Sequence, residues 1–285
     1  MDCTGCDTTG EAVRQNGCMK QQNNILAVDV GNTRAKFGLF QLNEQGLAVP
    51  SEIIACVLTE TADLASALFE WSSRNSKSPP AAAVVAGSDP ESRDRLLGGW
   101  PLPATEPLVI AAFNQIPIHV DVDSPARVGI DRLLNAFAAG RIIGRNRSAI
   151  IVDSGTATTI DLLTSDNTFR GGSILPGLRL SARAMHDYTA RLPLLDVSED
   201  SGALPEVPGR NTEAAMKAGL FIGQLGAVRE LSGQLAQAAC GRFAEAAVPQ
   251  LIVTGGGGRQ LVSHLPGAVY IDSLALHGLA MLISN

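Results

Sequence analysis

Apolar and polar residues fall along this chain in two rhythms, and the rhythms predict its elements. Residues 25–30 are apolar throughout except for Asp29, the pattern of a strand covered on both faces. Gly31, Asn32 and Thr33 then turn the chain, and residues 35–40 return as a second strand. Residues 52–57 read as a third. Leu64, Leu68 and Trp71 recur at helical spacing, which predicts a helix capped by Thr59 or Thr61 and broken by Ser-Lys-Ser-Pro-Pro at 76–80. A buried strand at 82–86 and a helix opened by Ser88-Asp89-Pro90 follow. Strand-like stretches at 108–111 and 116–120 precede a strong helix at 130–143.

The second half repeats the opening. Residues 149–152 are apolar and end in Asp153, Gly155 and Thr156 turn the chain, and residues 158–163 return. A third strand is expected at 168–175, then a helix from Pro176-Gly177 to about residue 190 and a loop rich in proline and acids at 196–210. A long helix at 212–239, a strand at 251–254, a turn of four glycines, a short strand at 268–271 and a terminal helix complete the chain. With 25–40 beside 149–163, Asp29 falls on Asp153 and Gly31 on Gly155, at a common offset of 124. The repeat predicts an α/β fold of duplicated domains with mixed sheets and a cleft between them, residues 24–146 forming one copy and 147–285 the other.

Length agrees with two domains: 285 residues is about twice the usual domain. Hydrophobic residues make up 45% and charged residues 18%, an ordinary globular balance. The net charge of −6 divides evenly about residue 148, with 13 basic against 16 acidic residues before it, and shows no basic face for nucleic acid. No apolar run reaches the roughly 20 residues of a membrane span. Residues 1–23 read as a disordered leader without a secretory core segment. Cys3 and Cys6 have no second pair to complete a zinc site, and five cysteines without an export signal point to the reducing cytoplasm. His119, His186, His264 and His277 show no metal spacing.

The repeated strand–Asp–x–Gly turn has a chemical logic. Glycine lets phosphate oxygens approach the turn, whose N–H groups and the Thr33 hydroxyl can donate to them. Asp29 at a strand end can hold a hydrated Mg²⁺ against those phosphates, and Lys36 can add a positive charge. Gly129-Ile130-Asp131-Arg132 opens a helix, where the dipole keeps Asp131 ionised as a proton acceptor and Arg132 can fork onto a carboxylate or phosphate. A capping Asp beside a solvated Arg is the plain alternative. Four glycines at Gly255–Gly258 suit close approach to a nucleotide or a simple turn, and no Gly-Lys pair forms a Walker A loop.

Taken in order, DVGNTRAK (29–36), GIDR (129–132), DSGTATTIDL (153–162), GGSILPG (171–177), TARLP (189–193), GRNTEAA (209–215) and TGGGG (254–258) make the chain similar to type III pantothenate kinases from about residue 25 onwards. The resemblance implies a duplicated ribonuclease H-like, actin-like ATPase fold. It also implies transfer of the ATP γ-phosphoryl group to the primary hydroxyl of pantothenate, the first step towards coenzyme A. By position, Asp29, Val30, Gly31, Asn32, Thr33, Arg34, Ala35 and Lys36 match the first ATP-binding hairpin, and Thr156 a hydroxyl of the second. Asp131 matches the catalytic base, with Gly129, Ile130, Arg132 and Thr189 in the pantothenate site. Asp29 would organise Mg²⁺ through water, and Asp153 would hold a monovalent cation, K⁺ or NH₄⁺. The family is dimeric, so the expected partners are ATP, pantothenate and a second copy, with no nucleic acid or membrane. Ile130 stands where the family usually has Ala, and Val122 where many members have Tyr. Two other readings use the same fold: a kinase of another small metabolite, or an idle regulatory homologue. The presence of Asp29, Asp131 and Asp153 speaks against the second.

Overall fold

Strand parity builds this fold. A computed structural model describes residues 24–57, 63–76, 78–197 and 203–283. The leader at 1–23 lies outside the described residues, as do Thr59 and Thr61.

In the first half, β1 (Ile25–Val30), β2 (Arg34–Leu42), β3 (Ala48–Val57), β4 (Ala82–Gly87) and β5 (Pro107–Ile110) form one sheet in the order β3-β2-β1-β4-β5. Helices α1 (Leu64–Asn75) and α2 (Pro90–Gly98) connect its strands. A two-residue strand, β6 (His119–Val120), and helix α3 (Ile130–Ile143) follow. In the second half come β7 (Ala149–Ser154), β8 (Ala157–Thr164), β9 (Thr168–Pro176), α4 (Leu178–Asp187) and α5 (Thr212–Arg242). The chain then forms β10 (Gln250–Thr254), α6 (Gly258–Val262), β11 (Val269–Tyr270) and α7 (Leu274–Leu282). The second sheet runs β11-β10-β7-β8-β9-β6. Apart from β6 the two orders are the same, with β1 and β7 each antiparallel to the following strand and parallel to a later one. The duplication expected from the repeat is therefore present in the topology.

Both faces of β1 are covered, and alternate residues serve different cores. Leu26, Val28 and Val30 join Leu64, Leu68, Trp71 and Leu96 on the outer side. Ile25 and Ala27 face inward, into a central cluster that also holds Ala149 and Ile151 of β7 and the apolar residues of α3 and α7. On β7, Ile150 and Val152 face the other way, towards α4 and α5. The architecture is thus two mixed sheets with α3 and α7 between them. By the same parity Asp29 and Asp153 point to the inner side. The halves also exchange elements: α7 packs on β1, β2 and β3, while β6 pairs with β9.

Several local expectations change. Asp63 caps α1, its carboxylate accepting from the Ala65 and Ser66 N–H groups. Of the stretch at 116–120, two residues pair as β6. The glycine turn runs directly into α6, because Gly258 already belongs to that helix. His277 is a core residue, stacked edge-on to Phe40 with Nδ1 3.1 Å from the Ala48 carbonyl oxygen. Among the described residues no helix is long and apolar enough to cross a membrane.

Helices α3 and α7 touch backbone to backbone at Gly278, where an added Cβ would lie 2.6 Å from the Leu134 carbonyl oxygen. Gly278→Ala must push the helices apart and is expected to cost about 1–3 kcal/mol of stability. A denaturation midpoint that falls while the slope stays constant would show it.

Candidate active site

Two hairpin turns meet across the space between the sheets. In the first, the Gly31 N–H donates to the Arg34 carbonyl oxygen at 3.0 Å; in the second, the Gly155 N–H donates to that of Ala157 at 2.9 Å. The second turn is one residue shorter. The offset of 124 therefore holds for the outgoing strands, while on the returning strands Lys36, paired with Asp29, corresponds to Thr159, paired with Asp153. The turn tips touch: the Thr33 and Thr156 hydroxyl oxygens are 3.0 Å apart.

Between the hairpins lies a cleft of about 470 Å³, lined by Asp29, Lys36, Asp131, Asn135, Asp153, Thr159, Ser88 and the turns themselves. Gly255, Gly256 and Gly257, beyond the end of β10, close another side. Gly255 has φ +82°, and a Cβ there would sit 2.5 Å from Asp153 Oδ1, so glycine is required against this carboxylate. Helix α3 supplies Asp131 in its first turn and Asn135 one turn later, on one face. Asp131 Oδ1 accepts the Arg132 N–H at 2.9 Å, and Asn135 Nδ2 donates to Asp153 Oδ2 at 2.8 Å.

Buried carboxylates set the electrostatics. Asp29 is 8% exposed. Burial pushes its carboxyl up to about 7, against the pull of Lys36 and with added repulsion from Asp131 and Asp153. Asp131 is raised chiefly by burial and by Asp153, with the Arg132 N–H and charge opposing. Asp161 is raised by burial, opposed by Arg132, which grips it with Nε and Nη2.

Of the residues expected at the site, Asp29, Gly31, Asn32, Thr33, Arg34, Lys36, Asp131, Asp153 and Thr156 line one cleft. The side chains of Val30 and Ala35 do not, because strand parity turns them into the outer core. Ile130 packs against the central core, as does Val122, so neither departure from the family pattern changes the cleft wall. Gly129 precedes α3 as its N-cap, outside the lining. Arg132 is committed to Asp161 and lies beside the Phe169 ring, 5.5 Å from its centroid. Thr189 sits beyond α4 on the exposed side, its hydroxyl donating to the Met185 carbonyl oxygen at 2.7 Å. Asn135 and Asp161 escaped the sequence reading. The first was legible only as the residue one turn after Asp131, the second only as the last acid of DSGTATTID.

Among the described residues no three His, Cys, Asp or Glu side chains are placed to hold a metal directly. The donors present are oxygens of single carboxylates, hydroxyls and carbonyls. That set fits hard cations that keep water or phosphate among their ligands, as Mg²⁺ does, and the excess of buried acids over Lys36 and Arg132 calls for positive charge.

Paired strand-end aspartates on repeated hairpins face each other over an oxygen-lined cleft, in an α/β fold whose two halves share one sheet topology. The family profile described as type III pantothenate kinase matches residues 25–234, and the chain belongs to that family. It is 31% identical over 274 residues to a type III pantothenate kinase of Ruegeria pomeroyi, covering 90% of this chain and 96% of that one. With the corresponding protein of Rhodopirellula baltica it shares 40% identity over 178 residues, 57% of this chain and 61% of the other. Among solved structures it is similar to a Campylobacter jejuni protein assigned to the Baf family of transcriptional activators, at a TM-score of 0.57 and 18% identity, covering 91% and 97% of the two chains. That likeness speaks for the fold.

A carboxyl raised in the folded state binds protons that the unfolded chain has released, so between about pH 4 and 7 Asp29 makes stability fall as pH rises. At 1.36 kcal/mol per pKa unit the penalty approaches roughly 4 kcal/mol above pH 7. Asn at position 29 has no such charge to bury. Asp29→Asn is expected to raise the melting midpoint by several degrees at pH 8 and to leave it nearly unchanged at pH 4, measured by calorimetry without nucleotide or Mg²⁺.

Proposed function

We propose that this chain phosphorylates pantothenate on its primary hydroxyl with ATP, giving 4′-phosphopantothenate and opening the route to coenzyme A. The observation that carries this reading is the convergence of Asp29, Asp153 and Asp131 on one cleft in a member of this family.

The first hairpin, from Asp29 to Lys36, and Thr156 on the second would hold the triphosphate, with turn N–H groups and hydroxyls as donors. Lys36 adds positive charge beside the phosphates. Mg²⁺ carried with ATP and a monovalent cation, K⁺ or NH₄⁺, would offset phosphate charge, with Asp29 holding the first through water and Asp153 holding the second. Asp131 takes the proton of the substrate hydroxyl. One of its oxygens is occupied by the Arg132 N–H, and its raised pKa makes it a stronger base than a solvated carboxylate. By their place in the motif, Gly129, Ile130 and Arg132 would flank the pantothenate site from behind Asp131, the one residue of the four that lines the cleft.

Thr189 enters this reading through a second copy of the chain. Large apolar side chains stand exposed close by in sequence, with Tyr188 89% and Leu194 51% exposed, which supports a homodimer face carrying Thr189. Sedimentation equilibrium is expected to give twice the 29.7 kDa chain mass; a single-chain mass at micromolar concentration would remove this part of the reading. A cytoplasmic place, without nucleic acid or membrane as partner, goes with substrates of this kind.

The decisive experiment incubates the protein with ATP, Mg²⁺ and pantothenate, with and without K⁺, and detects the product by mass spectrometry. A panel of other hydroxylated metabolites separates this reading from another small-metabolite kinase. Asp131→Asn is expected to lose about 10²- to 10⁴-fold in turnover while ATP binding survives. In the wild type, turnover should fall as pH drops through the raised pKa of Asp131, because the protonated carboxyl accepts nothing. The pH–rate profile of the variant should lack that limb.

A further inference from the structure

Asn135 is 2% exposed and lines the cleft one turn beyond Asp131. Its Nδ2 donates to Asp153 Oδ2 at 2.8 Å. That bond fixes which way the amide faces, since the reverse orientation would set a carbonyl oxygen against a carboxylate. Oδ1 is thereby left as a buried acceptor with no hydrogen-bond partner among the described residues. Buried acceptors are ordinarily satisfied, so this one points to something that occupies the cleft in use. Phosphate oxygens and ionised carboxylates cannot satisfy it, because they too only accept. The hydroxyl of the acceptor substrate is directed to Asp131. Water or a cation can satisfy it, and the neighbouring carboxylates of Asp29, Asp131 and Asp153 favour a cation there.

We infer that Asn135 is a positioning residue for Asp153 and, through Oδ1, a neutral oxygen ligand of the monovalent cation in the cleft. The inference rests on the cation reading above and adds a residue to it. One amide would thus perform two tasks: its N–H restrains the anionic ligand, and its carbonyl completes the shell with an uncharged oxygen. An uncharged donor suits an ion of single charge, because it adds no further anion to an already acidic cleft.

Calorimetric titration with an ATP analogue over a range of K⁺ concentrations, ionic strength held with N-methylglucamine chloride, tests it. Asn135→Ala is expected to raise the half-saturating K⁺ by about 10- to 100-fold, with excess K⁺ restoring nucleotide binding, which a merely structural lesion would not allow. An unchanged half-saturation overturns the assignment of Asn135. A wild type that binds the analogue equally well without K⁺ overturns the cation reading itself, and the Oδ1 role with it. If the variant does not fold, thallium(I) located by anomalous scattering in wild-type crystals decides. An ion within coordination reach of both Asp153 and Asn135 Oδ1 supports the inference. An ion on Asp153 beyond reach of Oδ1 overturns the part played by Asn135 alone, and a cleft without thallium overturns both readings.

Discussion

Carboxylates held together away from water are the constraint on which the rest of this structure turns. Asp29, Asp131 and Asp153 line one cleft, with Asp161 coupled to them behind Arg132. Asp131 and Asp153 raise the proton affinity of Asp29, and Asp153 that of Asp131, while Lys36 opposes the first and Arg132 the second. Such a cluster is unfavourable for folding alone. It becomes favourable when a divalent cation and a polyphosphate enter together, because acids alone would repel the polyphosphate and basic residues alone would leave the metal unheld. The acidity is therefore an expression of the chemistry, and the folded chain bears it as a local instability.

The same constraint explains why α3 is placed between the sheets. A helix gives two side chains on one face a fixed separation, and here Asp131 and Asn135 use that spacing to line the cleft and to hold Asp153 respectively. The helix must not drift, and two contacts hold it. One is the close crossing with α7 at Gly278; the other is the grip of Arg132 on Asp161 in β8. Position of Asp131 thus depends on α7, which belongs in sequence to the other half of the chain.

Much of this was legible in the sequence, and what escaped it has physical reasons. Apolar runs ending in Asp gave β1 and β7, and their self-similarity gave the duplicated topology, because strand periodicity and tight turns are local properties. The inward aim of Asp29 and Asp153 follows from counting in twos along each strand. The cap of α1 was misplaced because Thr59, Thr61 and Asp63 are all acceptable caps, and only the three-dimensional start of the helix selects Asp63. The shorter second turn was invisible, since an alignment of outgoing strands says nothing about where the return begins. β6 and α7 crossing to the opposite sheets are tertiary facts with no local signature.

Arg132 shows most directly where motif reading stops. As part of GIDR it reads as a free fork for an anionic substrate, yet its Nε and Nη2 are taken by Asp161, which Gly172 crowds so closely that a Cβ there would lie 2.5 Å from Asp161 Oδ1. A guanidinium tied on one edge and set beside Phe169 loses its freedom to swing, and the Nη1 N–H groups with the second N–H of Nη2 are the donors that Asp161 leaves over. The pair therefore turns a flexible cation into a rigid one with a fixed outward edge. A rigid donor discriminates between ligands better than a mobile one, because it cannot follow a misplaced acceptor. On that account Asp161, buried and outside the cleft lining, fixes the direction in which Arg132 faces.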